Sequence, residues 1–394
     1  MRKHLMAHAY EIEDLIEFCK KYERLYIYGS LEKQECLLKL LDFCGVKIDG
    51  YADSFNAEKK LKYRNIPIEL ARDVIKRKNT GIILGMSDSH YGQIIPWLRE
   101  KGFNDYFILS EHSKNAVLDK LSPAPVPEKF GFEVDLATHC NLNCQMCNHF
   151  SQLSPEQFLD VDSYERDIKR LGYLFGHKLA FLNMAGGEPL MHKEIIKFIE
   201  IGRRQFPEAN IVITTNGLLL QQLEHSEDGN LWQALKDNRV NVFVTLYPID
   251  LDYAVIEKLA EKYDVKIRMS AEVSSATPVF DKISQKEPLD LDGKQRIYEA
   301  VCCWYFNRCR ALKNGHLYTC HVIPNIDIFN NYFNQALEVS EDDGIDIYKA
   351  KSYEEIAKFM ATPVPFCRFC DVKNRVMHSP WKQSAKDLKE YIRG

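Results

Sequence analysis

The sequence predicts an α/β protein built on parallel sheets, followed by a smaller cysteine-rich region. Apolar runs of strand length alternate with helix-like segments both before and after a proline-rich stretch. Such alternation is typical of parallel sheets, which bind ligands at the carboxyl ends of their strands. Six of the twelve cysteines lie after residue 296, which sets the last part of the chain apart.

The composition excludes several classes of protein. The 394 residues carry a net charge of −4, which argues against binding to a nucleic-acid polymer. No run of eighteen apolar residues is present, so we expect no membrane span. The first residues lead into a stretch with acidic side chains and do not look like a signal peptide. Twelve cysteines without an export signal indicate a cytoplasmic protein with metal-binding or reactive thiols.

Residues 1–122 are predicted to form a small Rossmann-like α/β domain. Strands are expected at 25–28, 46–53, 82–85 and 106–109, with helices at 9–21, 33–43 and 91–101. This order places glycine or polar residues on one rim of the sheet, namely Gly29, Ser30, Asp53, Gly85 and Ser87. The fingerprint G-x-G-x-x-G is absent, so we do not expect a nicotinamide cofactor.

This domain is similar to the small Rossmann-like domains that precede enzymes acting on nucleotide-linked sugars in bacterial polysaccharide pathways. The resemblance implies that residues 1–122 bind the nucleotide of a substrate. A docking or scaffolding domain without a ligand is the alternative. Residues 123–130 carry three prolines at alternate positions, which predicts an extended linker after the domain.

Residues 131–295 are predicted to form a second series of parallel βα units. Strands are expected at 131–136, 179–185, 211–215, 240–247 and 265–270, with helices between them such as 193–204 and 253–263. Each candidate ligand segment follows directly after one of these strands. This position is typical of a barrel whose site lies at the carboxyl ends of its strands.

Three cysteines follow the first of these strands at close spacing. Cys140, Cys144 and Cys147 are separated by three and then by two residues. Three thiolates on one loop can ligate three irons of an iron–sulfur cluster and leave the fourth iron open to a small molecule. A zinc site or three packed thiols is the alternative.

A second motif, Gly186-Gly187-Glu188-Pro189, ends the second strand. Two glycines allow a backbone to approach a ligand closely, and the carboxylate can bind an ammonium group. Alone, the motif would be an ordinary turn. With both motifs in order, the chain resembles the radical S-adenosylmethionine (SAM) superfamily.

The resemblance implies a partial, open barrel of six βα units. It implies a [4Fe-4S] cluster on Cys140, Cys144 and Cys147, and a SAM amino group bound at Gly186, Gly187 and Glu188. Polar contacts to SAM are then expected from the turn after the third strand and from the fifth strand, namely from Thr214, Thr215, Asn216, Arg268 and Ser270.

Two positions near the third cysteine add to this comparison. Met146 occupies a position that is usually aromatic in the family and packs near the adenine, and a thioether also packs well against a ring. The continuation Asn148-His149-Phe150-Ser151 is similar to radical SAM proteins from surface-carbohydrate gene clusters. His149 is therefore a candidate contact to SAM or substrate, with a histidine bonded only to backbone as the alternative.

Residues 296–378 resemble the auxiliary-cluster domains of the superfamily known as twitch and SPASM domains. The motif Gly315-x4-Cys320 and the pair Cys367-x2-Cys370 carry the resemblance. It implies a second [4Fe-4S] cluster of the shorter twitch type, with Cys303 as the fourth ligand and Cys302 or Cys309 as alternatives. A four-cysteine zinc site is the competing interpretation. Residues 379–394 are assigned to a C-terminal tail.

The resemblance implies that a 5′-deoxyadenosyl radical abstracts hydrogen from a carbinol carbon of a nucleotide-linked sugar or polyol. Epimerisation is favoured if Cys302 or Cys309 returns a hydrogen atom, and oxidation to a ketone follows if the second cluster accepts an electron. A flavodoxin- or ferredoxin-type protein would supply electrons. A peptide or protein maturase is the alternative, and a non-catalytic scaffold is a third.

Overall fold

The computed structural model divides the chain into two compact units, residues 1–122 and 123–394. Ser30, Ser87 and Cys302 lie outside the part of the chain that it describes. Across the described part, no helix is both long and apolar enough to cross a bilayer. The described residues are 14–29, 35–54, 62–63, 65–85, 88–109, 124–225, 229–270, 287–295, 297, 300, 303, 309–376 and 381–392.

The first unit contains a six-stranded sheet with helices between its strands. The strands are β1 (Arg24–Tyr28), β2 (Gly50–Asp53), β3 (Lys62–Tyr63), β4 (Ile66–Leu70), β5 (Thr80–Leu84) and β6 (Tyr106–Ile108). Three helices have both ends described, α1 (Glu35–Phe43), α2 (Ala71–Val74) and α3 (Asp88–Glu100), and residues 14–19 are also helical. The sheet order is β3-β4-β2-β1-β5-β6, and all pairs are parallel except β3 with β4.

The burial of the strands explains why most strands of this unit could be predicted from the sequence. All described residues of β2 and β5 are buried, as expected for central strands covered on both faces. The strand predicted at 46–53 begins only at Gly50, because the N–H of Val46 donates to the carbonyl of Leu41 and closes helix α1. The short antiparallel pair of β3 and β4 was not predicted.

The second unit begins with five parallel strands and four helices. The strands are β7 (Gly131–Ala137), β8 (Phe181–Gly186), β9 (Asn210–Thr215), β10 (Val240–Val244) and β11 (Ile267–Met269). The helices are α4 (Val161–Leu174), α5 (Ile195–Gln205), α6 (Leu231–Asp237) and α7 (Tyr253–Tyr263). The strands pair in chain order, so their carboxyl ends meet at one edge of the sheet.

The same sheet continues into the cysteine-rich part of the chain. Strand β12 (Ala311–Lys313) pairs parallel to β7, and β13 (His316–Tyr318) and β14 (Gly344–Asp346) extend it antiparallel. The sheet order is β11-β10-β9-β8-β7-β12-β13-β14. Helices α8 (Val322–Phe333) and α9 (Tyr353–Met360) complete this part. The division of the unit at residues 130, 295 and 378 stays a prediction.

Alternation along β7 separates the core from the interior of the barrel. Phe132, Val134 and Leu136 are buried in the hydrophobic core that also contains residues of α4 and α5. Successive side chains of a strand point to opposite faces, so Glu133 and Asp135 lie on the other side of the sheet. The carboxyl groups therefore reach the interior near the ends of the strands.

Candidate active site

The cysteine loop follows β7 and opens onto a cavity of about 200 Å³. Cys140, Cys144 and Cys147 line one side of this cavity. The turn after β8, with Gly186, Gly187 and Glu188, and the end of β9, with Thr214, Thr215 and Asn216, line it as well. Residues that lie 76 positions apart in sequence, Cys140 and Asn216, thus share one site.

The three thiols lie in surroundings suited to thiolate ligands. Leu142 N lies 3.3 Å from Cys140 Sγ, and Trp381 Nε1 lies 3.1 Å from Cys144 Sγ. Burial opposes ionisation of Cys147, but the hydrogen bond and charge of His149 outweigh it and lower the pKa of Cys147. Burial raises the pKa of Cys140, so a cation is needed to ionise this thiol. Iron would supply that charge, and the donor set fits an iron–sulfur cluster on three thiolates.

Gly186 and Gly187 bring the turn after β8 against the start of the cysteine loop. Gly187 N donates to the carbonyl of Ala137 at 2.8 Å, and Glu188 N donates to the carbonyl of His139 at 3.1 Å. A Cβ atom at Gly187 would lie 1.8 Å from the His139 carbonyl oxygen. Gly186 has a φ of 115°, which disfavours other residues. The two glycines therefore hold the loop in place, in addition to any contact with a ligand.

The carboxylate of Glu188 is bound by three donors from the protein. It accepts hydrogen bonds from Thr215 Oγ1 at 2.7 Å, Asn216 N at 2.9 Å and Leu190 N at 3.0 Å. Burial raises the pKa of Glu188 to about 7, and these hydrogen bonds partly offset the effect. Glu188 thus joins the turn after β8 to the end of β9 and lies at the cavity wall.

Thr214 and Asn216 also have partners within the protein. Asn216 Nδ2 donates to Asn141 Oδ1 at 2.7 Å and lies 3.8 Å from Cys140 Sγ. Thr214 Oγ1 donates to Asn183 Oδ1 at 2.8 Å. The first contact fixes the cysteine loop to the end of β9. The second begins a polar network that reaches into the barrel interior.

That network contains two carboxylates and two imidazoles. Asn183 Nδ2 donates to Glu133 Oε2 at 2.9 Å, and Glu133 Oε1 lies 3.3 Å from His321 Nε2. Asp135 Oδ1 lies 3.3 Å from His149 Nε2 and 3.9 Å from His321 Nδ1. The two imidazole rings are 4.5 Å apart. Glu133 and His149 line the cavity beside the cysteines.

Opposite charges compensate one another in this buried network. Burial opposes protonation of both imidazoles, but Asp135 raises the pKa of His149 and Glu133 raises that of His321, each to about 9. Burial also opposes ionisation of the two carboxyl groups, and the histidines outweigh it and lower the pKa of Glu133 and of Asp135. Sequence reasoning missed Glu133, Asp135 and His321. The alternation of Glu133 and Asp135 within an apolar strand was the available signal.

A segment near the end of the chain, residues 381–392, covers the cysteine loop, and we call it the C-terminal strap. Gln383 forms an antiparallel bridge with Cys144. Gln145 N donates to the Lys382 carbonyl at 2.9 Å, and Ser384 N donates to the Asn143 carbonyl at 2.8 Å. The prediction of a simple tail from residue 379 did not anticipate these contacts.

The strap is itself held by a buried tyrosine. The ring of Tyr391 lies 5.3 Å from that of Phe150 and 5.6 Å from that of Phe329, centroid to centroid. Its backbone carbonyl accepts a hydrogen bond from Leu289 N at 2.7 Å. The strap therefore joins the cysteine loop to the second hydrophobic core of the unit.

The cysteines of the last region come together at this second core. Cys320, Cys367 and Cys370 pack against its apolar residues and act on one another's pKa. Burial raises the pKa of Cys320, and nearby Cys309 raises it further. Among these three thiols, Cys320 is the one whose pKa Cys309 affects. Cys303 is buried, and Cys302 is outside the described residues, so the fourth ligand stays a prediction.

Three predicted SAM contacts do not line the cavity, whereas one residue that was not predicted does. Met146, Arg268 and Ser270 are not among the described residues that line the cavity. Ser270 Oγ instead accepts a hydrogen bond from Leu246 N at 3.0 Å, beyond the end of β10. Tyr247 lines the cavity. Its pKa is raised well above the usual range, mainly by burial and to a lesser extent by the nearby thiols. A tyrosine just after a strand carried no distinguishing signal in the sequence.

Comparison with known proteins identifies the central part of the chain. Residues 134–271 match the family model of the radical SAM superfamily. This segment is similar to radical SAM domains. The match covers both motifs, Cys140 to Cys147 and Gly186 to Pro189. Radical SAM proteins use a [4Fe-4S] cluster and SAM, and this chain also contains the cysteines that an auxiliary cluster requires.

Curated relatives match the same part of the chain. The GTP 3′,8-cyclase of Clostridium perfringens (strain SM101 / Type A) is 28% identical over 180 residues, which are 42% of this chain and 52% of that protein. The probable GTP 3′,8-cyclase of Methanocaldococcus jannaschii is 32% identical over 130 residues, which are 31% of this chain and 40% of that protein. The chain spans about half the length of the first of these relatives.

Solved structures are also similar to this chain. The crystal structure of BtrN in complex with AdoMet and 2-DOIA aligns with a TM-score of 0.36 and 15% identity. The alignment covers 63% of this chain and 94% of BtrN.

Proposed function

We propose that the protein is a radical SAM enzyme that removes a hydrogen atom from a carbinol carbon of a nucleotide-linked sugar or polyol, with epimerisation as the favoured outcome. The lining of the cavity carries this proposal. Besides the cofactor motifs, the cavity is lined by carboxylate, amide, hydroxyl and imidazole side chains, including Glu133, Gln152, Ser151, Thr245 and His149. These groups form the hydrogen bonds that a substrate rich in hydroxyl groups requires.

The two cofactor motifs at this cavity have different roles. Cys140, Cys144 and Cys147 would hold the cluster, and the turn at Gly186, Gly187 and Glu188 would contact SAM. When bound, these cofactors supply a 5′-deoxyadenosyl radical, which abstracts a hydrogen atom from an unactivated carbon. The protein holds the substrate carbon in reach and limits access of water. Trp381 and the other strap residues support the cysteine loop for this task.

Two observations support a nucleotide as part of the substrate. The curated relatives are named for a reaction of GTP. In the first unit, Gly29, Asp53 and Gly85 follow or end the neighbouring parallel strands β1, β2 and β5, at the edge where ligands of such sheets bind. We therefore assign nucleotide binding to residues 1–122.

The position of Cys309 supports epimerisation over oxidation. Its Sγ lies within 4.8 Å of a carboxylate oxygen of Glu133 and a ring nitrogen of His321, and Glu133 lines the cavity. A thiol there can donate a hydrogen atom to a substrate carbon radical, which forms the C–H bond of the epimer and leaves a thiyl radical. One electron from a flavodoxin- or ferredoxin-type donor and one proton from solvent then restore the thiol.

The test is anaerobic turnover in deuterated water of the cluster-reconstituted chain with SAM and a panel of nucleotide-linked sugars and polyols. Mass spectrometry follows 5′-deoxyadenosine and each candidate substrate. A gain of about one mass unit with deoxyadenosine formation is expected for epimerisation, and a loss of about two indicates oxidation. If no carbohydrate raises deoxyadenosine formation while a peptide does, the protein is a peptide maturase and this proposal is wrong.

Replacing Cys309 with alanine separates hydrogen abstraction from hydrogen return. We expect Cys309→Ala to form 5′-deoxyadenosine with the active substrate but to give at least about tenfold less deuterated epimer, because the carbon radical lacks its hydrogen donor. Cys44→Ala, in the first unit, is the matched control. Iron content is measured in parallel, since loss of the auxiliary cluster would assign Cys309 as its ligand. Normal epimer formation by both Cys309→Ala and Cys302→Ala would contradict a cysteine donor.

A further inference from the structure

Three ligand-type atoms converge in the barrel interior without regular hydrogen bonds. His149 Nε2, His321 Nδ1 and Asp135 Oδ1 are buried, and within the described chain none has a hydrogen bond of normal geometry. These atoms lie within 4.8 Å of one another, with Asp135 Oδ1 at 3.3 Å from His149 and 3.9 Å from His321. Buried polar atoms are rarely left in this state, and a cation between them would give all three atoms a partner.

The surrounding residues orient the three side chains toward one point. Asp135 uses its other oxygen, Oδ2, to accept a hydrogen bond from Asn325 Nδ2 at 2.9 Å. His321 Nε2 also lacks a regular hydrogen bond within the described chain, but it lies 3.3 Å from Glu133 Oε1, and Glu133 accepts a hydrogen bond from Asn183. A carboxylate beside the second ring nitrogen is characteristic of metal-binding histidines. The arrangement has both the ligands and their supporting shell.

We propose that Asp135, His149 and His321 bind a divalent transition-metal ion, of which zinc is the best match to this ligand set. Two imidazoles and one carboxylate are typical ligands of zinc and of non-haem iron sites that keep a position open for water or substrate. Glu133 and His149 also line the cavity, so the ion lies at its wall and can bind a substrate oxygen. The site rests on these residues and not on the proposed substrate.

A second ligand set shares His321 and must be distinguished from the first. Glu133, Cys309 and His321 also bring their ligand atoms within 4.8 Å of one another. We favour the first set because, among the described residues, Asp135 Oδ1 has no regular hydrogen bond, whereas Glu133 already accepts one from Asn183 at 2.9 Å. The two sets can be distinguished by measurement, because only the second contains a sulfur ligand.

The test uses the full chain with its clusters reconstituted under anaerobic conditions. Zinc is added, unbound zinc is removed by gel filtration, and zinc and iron per chain are measured by elemental analysis. We expect one zinc ion per chain in the wild type and a loss of at least about tenfold in affinity in Asp135→Asn and in His321→Gln. Glu133→Gln, which changes only the supporting shell, should weaken binding by about 10- to 100-fold. His316→Ala is the control, because His316 belongs to neither ligand set and its Nδ1 lies 3.0 Å from the Asn314 carbonyl oxygen of its own turn.

Zinc X-ray absorption then identifies the ligands. The proposal predicts only nitrogen and oxygen neighbours at about 2.0–2.2 Å, whereas a sulfur neighbour at about 2.3 Å would place the ion on Cys309 and overturn it. Absence of zinc in the wild type, or equal zinc in Asp135→Asn and His321→Gln, would also overturn it. In that case the four side chains form a charge network without an ion. Unchanged iron in the variants shows that they remain folded.

Discussion

Replacing Gly187 with alanine is expected to abolish cluster binding at Cys140, Cys144 and Cys147. The new Cβ would lie 1.8 Å from the His139 carbonyl oxygen and 2.3 Å from its carbonyl carbon. Backbone atoms cannot rotate away as a flexible side chain can, so the cysteine loop must move. We expect the second unit to lose about 3 kcal/mol or more of unfolding free energy. Iron content and denaturant unfolding of the reconstituted protein measure both effects.

A second glycine provides the control for this prediction. Gly92 lies within helix α3 of the first unit, and a Cβ there meets no atom within 4 Å. Gly92→Ala should leave iron content unchanged and stabilise the first unit by about 0.5–1 kcal/mol, because alanine is the better helix former. Normal iron content in Gly187→Ala would mean that the loop is not held by this contact.

Removal of the C-terminal strap should have an effect of similar size. A chain ending at residue 380 loses the bridge between Gln383 and Cys144, the backbone bonds to Asn143 and Gln145, and the Trp381 N–H at Cys144 Sγ. It also loses the buried ring of Tyr391. The cysteine loop then lacks all its contacts with the strap. We expect the radical SAM cluster to be lost or to bleach rapidly in air, as followed by its visible absorption.

Point substitutions within the strap test the packing of its side chains without shortening the chain. Tyr391→Ala should cost about 3–5 kcal/mol, because it empties a fully buried aromatic site. Lys389→Ala, at an exposed position of the same strap, should change neither stability nor cluster content. If the shortened chain keeps a stable cluster, the strap is a peripheral segment and the cysteine loop folds without it.

Local sequence patterns were sufficient to predict most of the fold. The five strands β7 to β11 combine apolar runs with regular spacing, and helix α7 (Tyr253–Tyr263) was predicted with the same limits. The loop of Cys140 to Cys147 and the turn at Gly186 to Pro189 could be recognised because their residue types and spacing form short motifs. Their meeting at one edge follows from the parallel order of the strands.

Contacts between distant segments could not be predicted in this way. Trp381 meets Cys144 across 237 residues, and Asn325 meets Asp135 across 190. No periodic pattern links such pairs, since each depends on how separate parts of the chain pack. The same reason explains why Gly186 and Gly187 were predicted only as ligand contacts, although the backbone of Ala137 lies closest to the first and that of His139 to the second.

The central claim is that the three-cysteine loop and its cavity are a radical SAM site, and SAM cleavage tests it most directly. The cluster-reconstituted chain is incubated anaerobically with SAM and a strong reductant, and 5′-deoxyadenosine is quantified. The same measurement is made on a variant with alanine at Cys140, Cys144 and Cys147. We predict deoxyadenosine from the wild type and none above background from the variant. Equal amounts from both, or none from a wild type that carries its cluster, would contradict the claim.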